Sequence, residues 1–596
     1  MAIEMTKTIP QSSRTTNPDQ RAASLAEVFR LRARKEGRRL AYAFLADGER
    51  EAARFTYGEL DRAARAIAAA LQRTMEPGER ALLVFPQGLD FIAAFVGCLY
   101  AGVIAVPAHP PQPERLARTL PRLQAIARDA DPAVVLSSGM LARTAPALLA
   151  GVPELAGVPV IAIDAIDLTG ARAWREPAVC ADTLAFLQYT SGSTAAPRGV
   201  MVSHGNLLYN LARIRAAQDS DASSVGVSWL PSSHDMGLIE GILTPAFGAY
   251  PAYLMPPAAF LQRPLCWLAA ISRYRGTTSG GPNFAYDLCR RRVTPEERQG
   301  LDLRSWRVAY SGAEPVRAQT LEGFAETFSE CGFDTRALRP VYGLAEATLL
   351  VTASDRQAPA PTIKDFNTAA LERDEVLAAV GAGAARFISC GTPVPGTEVV
   401  IADPKTCRCK PGGEVGEIWV SGPGVARGYW NQSEETECVF LAQLADGGGP
   451  FLRTGDLGFV AGGELYVTGR LKDLIIVRGR KLYPQDLERT AERCHPALRP
   501  GCVAAFPTAG AEAEGIALLA EVDAAHGEHL NWIIGDLRQA VAEQHEVQLA
   551  AVALLPRGML PKTSSGKLMR HACRNALLDG SLEVLVQWTR DAIAVV

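Results

Sequence analysis

Between Leu60 and Ile401 short uncharged apolar runs alternate with stretches of helical period, and this alternation restricts the fold more than any other feature. Leu60, Ala63, Ala64, Ile67, Ala68 and Leu71 share one helical face, residues 81–85 read as a strand, and the apolar segment 91–102 follows. Residues 134–136, 158–163, 225–230, 308–311 and 399–401 read as further strands. Strands without polar alternation are buried on both faces, as in largely parallel sheets covered by helices. The uncharged run 91–107 has 17 residues, contains two glycines and ends at proline, just short of a membrane span. It reads instead as a buried helix followed by a strand at 103–106.

Beyond this region the pattern changes. Around 418–420 and 464–467 the strands become short and are separated by Gly-rich turns such as Asp446-Gly447-Gly448-Gly449-Pro450, which indicates a β-rich subdomain. After Arg470 come apolar runs at 474–477, 502–506 and 516–522, then an amphipathic helix over about 530–544 through Ile533, Ile534, Leu537 and Val541. The expected class is α/β. A large N-terminal domain, 1–470, has layered, largely parallel sheets plus the β-rich subdomain, and a small mobile α+β C-terminal domain spans 471–596. Residues 358–385 are rich in Ala, Pro and charge and stand apart from both patterns.

Composition narrows the partners. Lys and Arg number 61 against 64 Asp and Glu, a formal charge of −3, so no global basic field favours nucleic acid or an anionic membrane. Residues 1–20 are polar and lack the apolar stretch of a signal peptide, and no run is long enough to span a membrane, so a cytoplasmic location is expected. The 12 cysteines are scattered, and Cys407 and Cys409 have no second pair at zinc-site spacing, which points to free thiols.

One loop carries chemistry. Tyr189-Thr190-Ser191-Gly192-Ser193-Thr194-Ala195-Ala196-Pro197-Arg198-Gly199 places small hydroxyl residues around glycine, so backbone N–H groups, hydroxyls and the Arg198 guanidinium can meet a phosphate. Residues 184–188 before it read as a buried strand, and Ser203 before Leu207, Leu208 and Leu211 as the cap of a helix, so the loop is expected between strand and helix. The spacing does not fit a Walker-type nucleotide loop.

Four more segments follow in order: Tyr342-Gly343-Leu344-Ala345-Glu346-Ala347-Thr348, Arg453-Thr454-Gly455-Asp456-Leu457-Gly458, Gly469-Arg470-Leu471-Lys472-Asp473 and Pro561-Lys562-Thr563-Ser564-Ser565-Gly566-Lys567. With the loop they resemble the motifs of the adenylate-forming superfamily of acyl-CoA synthetases, adenylation domains and luciferases, over nearly the whole chain from about Leu25. Within it, Phe186-Leu187-Gln188-Tyr189-Thr190, Ser228-Trp229-Leu230-Pro231-Ser232-Ser233-His234-Asp235-Met236-Gly237-Leu238, Gly281-Pro282-Asn283-Phe284-Ala285-Tyr286-Asp287 and Tyr483-Pro484-Gln485-Asp486-Leu487-Glu488 are similar to the fatty acyl-AMP ligases.

The resemblance implies attack of a fatty acid carboxylate on the α-phosphate of ATP, with Mg²⁺ as cofactor, giving acyl-adenylate and pyrophosphate. By the same resemblance Thr190, Ser191, Gly192, Ser193, Thr194 and Arg198 hold the departing phosphates. Ala195 and Arg198 stand where most relatives have Gly and Lys. Glu346 is the implied Mg²⁺ ligand; Gly312, Ala313, Glu314, Tyr342 and Gly343 lie along the adenine, with Tyr342 stacked on it; Asp456 and Arg470 serve the ribose. His234 orients the acyl carboxylate, Gly281, Asn283, Phe284 and Tyr286 line the acyl tunnel, Lys567 stabilises the transition state, and Asp473 is the hinge of a domain rotation. The extra segment, about 351–389, resembles the ligase insertion that hinders this rotation and disfavours CoA, so an acyl carrier protein or carrier domain of a polyketide or non-ribosomal peptide pathway is the implied acceptor. The nearest alternative is a long-chain acyl-CoA synthetase. An amino-acid adenylation domain fits less well, given His234 and the Asn283–Tyr286 wording, and a hydrolase lacks its G-x-S-x-G elbow. From another class, a non-catalytic nucleotide-binding or carrier-docking module would not need Lys567 and Glu346.

Overall fold

The computed structural model describes residues 22–111, 116–143, 151–190, 197–381, 383–477, 480–509, 514–523, 530–563 and 566–590. Two large sheets form the N-terminal part. In the first, nine strands run in the spatial order of those beginning at Thr392, Leu350, Leu338, Val308, Thr278, Gly226, Ala252, Leu40 and Glu51. The strands from Leu338 to Leu40 in that order pair in parallel, and antiparallel pairing closes both edges. The second sheet has six strands, Val160–Ala162, Val134–Ser137, Arg80–Val84, Ile104–Ala108, Leu184–Thr190 and Arg198–Ser203, parallel except for the last pair.

The helix Leu89–Ala101 is buried at every residue but Asp90, which explains a sequence apolar all round. It crosses the helix Tyr57–Leu71 closely at Gly97, where an added Cβ would stand 2.6 Å from Ile67 Cγ2. Among the described residues no helix is long and apolar enough to cross a membrane. The strand Ile104–Ala108 follows as the apolar run predicts. Residues 158–163 yield only the three-residue strand Val160–Ala162, since Ile163 opens a helical turn.

One local expectation is corrected. The phosphate-type loop does not join strand to helix. Leu184–Thr190 pairs antiparallel with Arg198–Ser203, from Leu184 opposite Ser203 to Thr190 opposite Arg198, so a second strand stands between the loop and the helix. Val200 and Val202 alternate into the core, fully buried. Gly199 hides this strand in the sequence, yet it is needed there: a Cβ would lie 2.9 Å from the Tyr189 ring. The helix His204–Gln218 starts only afterwards, capped as expected by Ser203, whose hydroxyl accepts from Asn206 N while the Asn206 side chain accepts from Ser203 N.

An antiparallel four-stranded sheet, Glu398–Ala402, Gly416–Ser421, Leu452–Ala461 and Glu464–Arg470, leads to the C-terminal part. There the strands Leu498–Ala509, Glu514–Val522, Ala551–Leu555 and Val586–Thr589 form one sheet, backed by the helix Leu530–His545, which buries Ile533, Ile534, Leu537 and Val541.

The segment 351–389 contains the hairpin Ile363–Asn367 with Ala384–Ile388. Phe366 and Leu371 share an apolar cluster with Phe459, Tyr466 and Tyr483, and the Phe366 and Phe459 rings lie 4.8 Å apart. Just beyond the hairpin's helical turn, Glu372 takes both Arg480 Nε and Nη2, at 2.8 and 3.0 Å, and Asp374 pairs with Lys481.

Candidate active site

The strands Gly226–Ser228, Thr278–Gly281, Val308–Ser311 and Leu338–Gly343 lie side by side and parallel, so their C-terminal ends open on one edge of the sheet. Open α/β sheets bind ligands at that edge. The residues that follow these strands include His234, Phe284, Glu314 and Glu346, which brings together positions more than a hundred residues apart in the chain.

Gly312 passes against the next strand, where a Cβ would meet Val341 Cγ2 at 2.9 Å. Ala313 after it has φ of +67°, a conformation an L-residue adopts only when its surroundings enforce it. Gly343 is required outright: a Cβ would stand 1.7 Å from Leu349 O. Tyr342 is buried and donates its hydroxyl to Asp456 Oδ2 at 2.9 Å. Burial first, and the Asp456 charge second, hold the phenol protonated, which fixes Tyr342 as donor. Asp456 stands opposite Arg470 in its strand pair and accepts from Arg470 Nε at 3.0 Å on Oδ1. Each carboxylate oxygen therefore has one partner and retains a lone pair for another donor.

Glu346 sits in the helical turn Ala345–Ala347 and accepts at Oε1 from Tyr429 Oη, 3.0 Å away. Burial raises its pKa, with the Tyr429 hydrogen bond and Arg470 opposing. Arg198 lies over the same Tyr429 ring at 5.2 Å and pairs with Glu435 at 2.8 Å. The strip carrying Tyr429 is tied to both sides by its backbone: Met201 N donates to Gly428 O, and Ala426 N to Glu346 O. Thr190 ends its strand opposite Arg198, whereas Ser191, Gly192, Ser193 and Thr194 lie outside the described residues.

His234 Nδ1 lies 2.5 Å from Asp235 Oδ1. Burial opposes the Asp235 charge, but His234, Lys567 and the Met236 N–H outweigh it and hold the carboxyl at about 2. Lys567 is lowered from the usual lysine value, chiefly by burial; Asp235, Glu314 and Asp456 work in the other direction, and Arg470 with burial. The lysine of the C-terminal part thus feels the charge of three acidic residues of the N-terminal part. Its loop is closed on itself, Lys567 N donating to Thr563 Oγ1 and Thr563 N to Lys567 O. Gly566 at its tip would place a Cβ 3.4 Å from Phe284 Cζ. Asp473, four residues beyond Gly469, accepts from Arg570 Nη1 at 2.9 Å, and Arg570 also grips both Glu488 oxygens.

The four residues expected to line an acyl tunnel separate. Phe284 faces the lysine loop and the edge of Trp229, with ring centroids 6.0 Å apart. Gly281 admits Trp229, whose Cζ2 would lie 2.7 Å from a Cβ there. Asn283 and Tyr286 instead serve the scaffold. The Asn283 side chain accepts from Arg317 N and donates to Thr320 Oγ1, and Tyr286 is fully buried among Trp267, Trp306 and Phe324 with its hydroxyl on Tyr310 O. The Glu314 side chain likewise caps the helix Asn283–Arg292, accepting from Phe284 N at 2.7 Å.

Sequence reasoning passed over Tyr429 and Asp235. Asp235 stands beside His234 in the quoted Ser228–Leu238 segment and was legible there as a second charge; nothing local marks Tyr429, which reaches Glu346 only through the fold.

Residues 29–430 match the family described as AMP-binding enzyme, and residues 472–587 match the Disco-interacting protein 2-like AMP domain. The chain is 46% identical to a medium-chain fatty acid:[acyl-carrier-protein] ligase of Moorena producens, covering 95% of this chain and 96% of the relative. It is 36% identical to a long-chain fatty acid:AMP ligase of Mycolicibacterium smegmatis, covering 92% and 93%. A fatty acyl-adenylate ligase structure from Legionella pneumophila, in complex with acyl adenylate and pyrophosphate, superposes with a TM-score of 0.74 at 40% identity over 96% of this chain and 99% of that one.

Proposed function

The chain belongs to the AMP-binding enzyme family, among its fatty acyl-AMP ligases, and from that premise we propose how its own residues activate a fatty acid and hand it on. The reaction joins fatty acid and ATP: a carboxylate oxygen attacks the α-phosphorus, the bond to the β-phosphate breaks, and pyrophosphate leaves with the electron pair. Such a transfer needs alignment and neutralised charge more than covalent help.

The carrying observation is the lysine loop of the C-terminal part, where a Cβ on Gly566 would stand 3.4 Å from Phe284 Cζ beyond the strand ends, so that Lys567 is desolvated and within electrostatic reach of Asp235, Glu314 and Asp456. Desolvation sharpens the field of its ammonium at the place where charge builds on the α-phosphate and the attacking carboxylate. Asp456 takes ribose hydroxyls on the lone pairs that Tyr342 and Arg470 leave. His234, fixed by Asp235, orients the fatty acid carboxylate, and Phe284 walls its chain. Arg198, held ready by Glu435 and Tyr429, exchanges that pairing for the phosphates that leave. Glu346, a part-buried hard-oxygen ligand with Oε1 engaged by Tyr429, would hold Mg²⁺ together with the substrate phosphates. Mg²⁺ there supplies charge neutralisation on the phosphate oxygens.

The acceptor in this reading is an acyl carrier protein or carrier domain, and the setting is cytoplasmic. Support for a carrier over CoA comes from the segment 351–389 and the residues that follow it. Glu372 and Asp374 grip Arg480 and Lys481, and Phe366 packs in a cluster with Tyr483, so residues on both sides of Asp473 are held in one arrangement. A boundary at 470–471 with rotation about Asp473 belongs to the same proposal.

The test is a product analysis of the purified protein with Mg-ATP and a ladder of fatty acids, with and without CoA, resolved by mass. Acyl-AMP that accumulates unchanged by CoA supports the ligase reading. Conversion to acyl-CoA would make the protein a synthetase and overturn the account of the insertion.

A further inference from the structure

Below the strand ends the sheet encloses a second feature. The backbone from Met236 to Leu243 winds as a wide π-type helix, a rare form that recurs at functional sites. Between it and the sheet lies a cavity lined by Gly226, Ser228, Glu240, Tyr250, Thr278 and Tyr310. Small residues open it. Thr278 is in register with Gly226 on one side, Gly280 lies beneath the Tyr310 ring, and Gly241 comes so near the sheet that a Cβ would stand 2.8 Å from Ser228 Oγ.

The lining is polar and incompletely paired. Glu240 is 8% exposed although it lies deep in the fold, and its hydrogen-bond partner is Gln218. Tyr250 is fully buried and Thr278 nearly so; the Thr278 hydroxyl has no hydrogen-bond partner among the described residues, and the Tyr250 hydroxyl is set only against Ser220. Buried polar groups are otherwise almost always paired, and the cavity offers about 10 Å³, room for one water or one small polar group. The same strands and the same helix lead to it from the site: Thr278 lies three residues, or about 10 Å, below Gly281, and Glu240 five residues beyond Asp235.

We propose that this cavity is the deep end of the acyl pocket and that Glu240, with the Tyr250 and Thr278 hydroxyls, acts as a polar stop: an aliphatic chain long enough to reach it is rejected, and a chain of that length ending in a hydroxyl is accepted. The proposal rests on the fatty acid reading above. A methyl terminus pressed into the cavity would displace any water and leave the Thr278 hydroxyl unpaired and Glu240 with Gln218 alone, whereas a terminal hydroxyl supplies both with a further hydrogen bond. Sites built to hydrogen-bond a substrate hydroxyl discriminate strongly against analogues that lack it.

The experiment measures pyrophosphate release by the full chain with Mg-ATP across a length series of saturated acids and their ω-hydroxy partners. At the length where the saturated acids fall off, the ω-hydroxy acid is expected to react at least about tenfold faster. Glu240→Leu, which keeps bulk but removes polarity, is expected to move the fall-off to longer saturated acids and to erase the hydroxyl preference. Glu240→Gln, which keeps both size and polarity, is expected to retain them. No hydroxyl preference in the wild type, or a Glu240→Leu profile identical to wild type, overturns the proposal. Should Glu240→Leu fail to fold, Tyr250→Phe and Thr278→Val remove the hydroxyls at constant size, and an unchanged preference in both overturns it equally. A wild type that releases no pyrophosphate with any acid would instead bring down the activity itself, a result distinguishable from failure of the stop alone.

Discussion

Lys567 and Glu240 show what burial does to single charges in this molecule. Burial lowers the Lys567 ammonium from the usual lysine value, and Asp235, Glu314 and Asp456 oppose that shift. Lys567→Ala is therefore expected to lower adenylation by about 10²–10³, the usual cost of removing one preorganised transition-state donor, while ATP binding by calorimetry stays close to wild type. Glu240 has no cation beside it. Burial pushes its carboxyl up to about 7, and the Gln218 hydrogen bond only moderates the rise. A carboxyl raised from about 4.3 in the unfolded chain binds more protons when folded, so its contribution is favourable at low pH and stability is lost as pH rises from about 4 through 7. Glu240→Gln should accordingly melt at a higher temperature than wild type at pH 8, by up to about 3 kcal/mol of stability, and show no such gain at pH 4. Melting curves across that range check it.

At the scale of elements, short irregular pieces connect the regular ones into a site. The strip from Ala426 to Trp430 bonds by its backbone to the strand Arg198–Ser203 on one side and to the turn bearing Glu346 on the other. Its Tyr429 side chain repeats the connection, with the ring under Arg198 and the hydroxyl on Glu346. Tyr429→Phe keeps the ring and removes only that hydroxyl. A lost hydrogen bond to a charged group is worth about 1.5–3 kcal/mol, so the half-saturating Mg²⁺ concentration for ATP binding should rise by about tenfold or more, with fatty acid KM little changed. An equal rise in both constants would assign Tyr429 a merely structural part. Regular elements behave as their patterns require: Ser203 and Asn206 cap one helix reciprocally, and the apolar helix Leu89–Ala101 is buried on all sides.

For the whole molecule the decisive relation is between the C-terminal part and the segment 351–389. Arg480 and Lys481 lie just past Asp473 and are held by Glu372 and Asp374, while Arg570 ties Asp473 to the element that follows the lysine loop. Removing both acids, Glu372→Ala with Asp374→Ala, should loosen that arrangement and permit measurable acyl-CoA formation; a folded double variant that makes none would deny the clamp its role. The sequence by itself determined the α/β layering, because strands buried on both faces and helices with one apolar face are local patterns, a short continuous apolar run and a period of 3.6. It also marked Asp456, Glu346 and Lys567, because their motifs are contiguous. It misplaced the phosphate loop, whose second strand, Arg198–Ser203, carries glycine at its second position, and assigned Asn283 and Tyr286 to a tunnel, since nothing local distinguishes a side chain turned to the core from one turned to a pocket. Tyr429 beneath Arg198, the Lys567 loop against Phe284 and Glu240 at the foot of the strands were decided only by tertiary structure, because burial and pairing depend on neighbours that the chain brings together from distant positions.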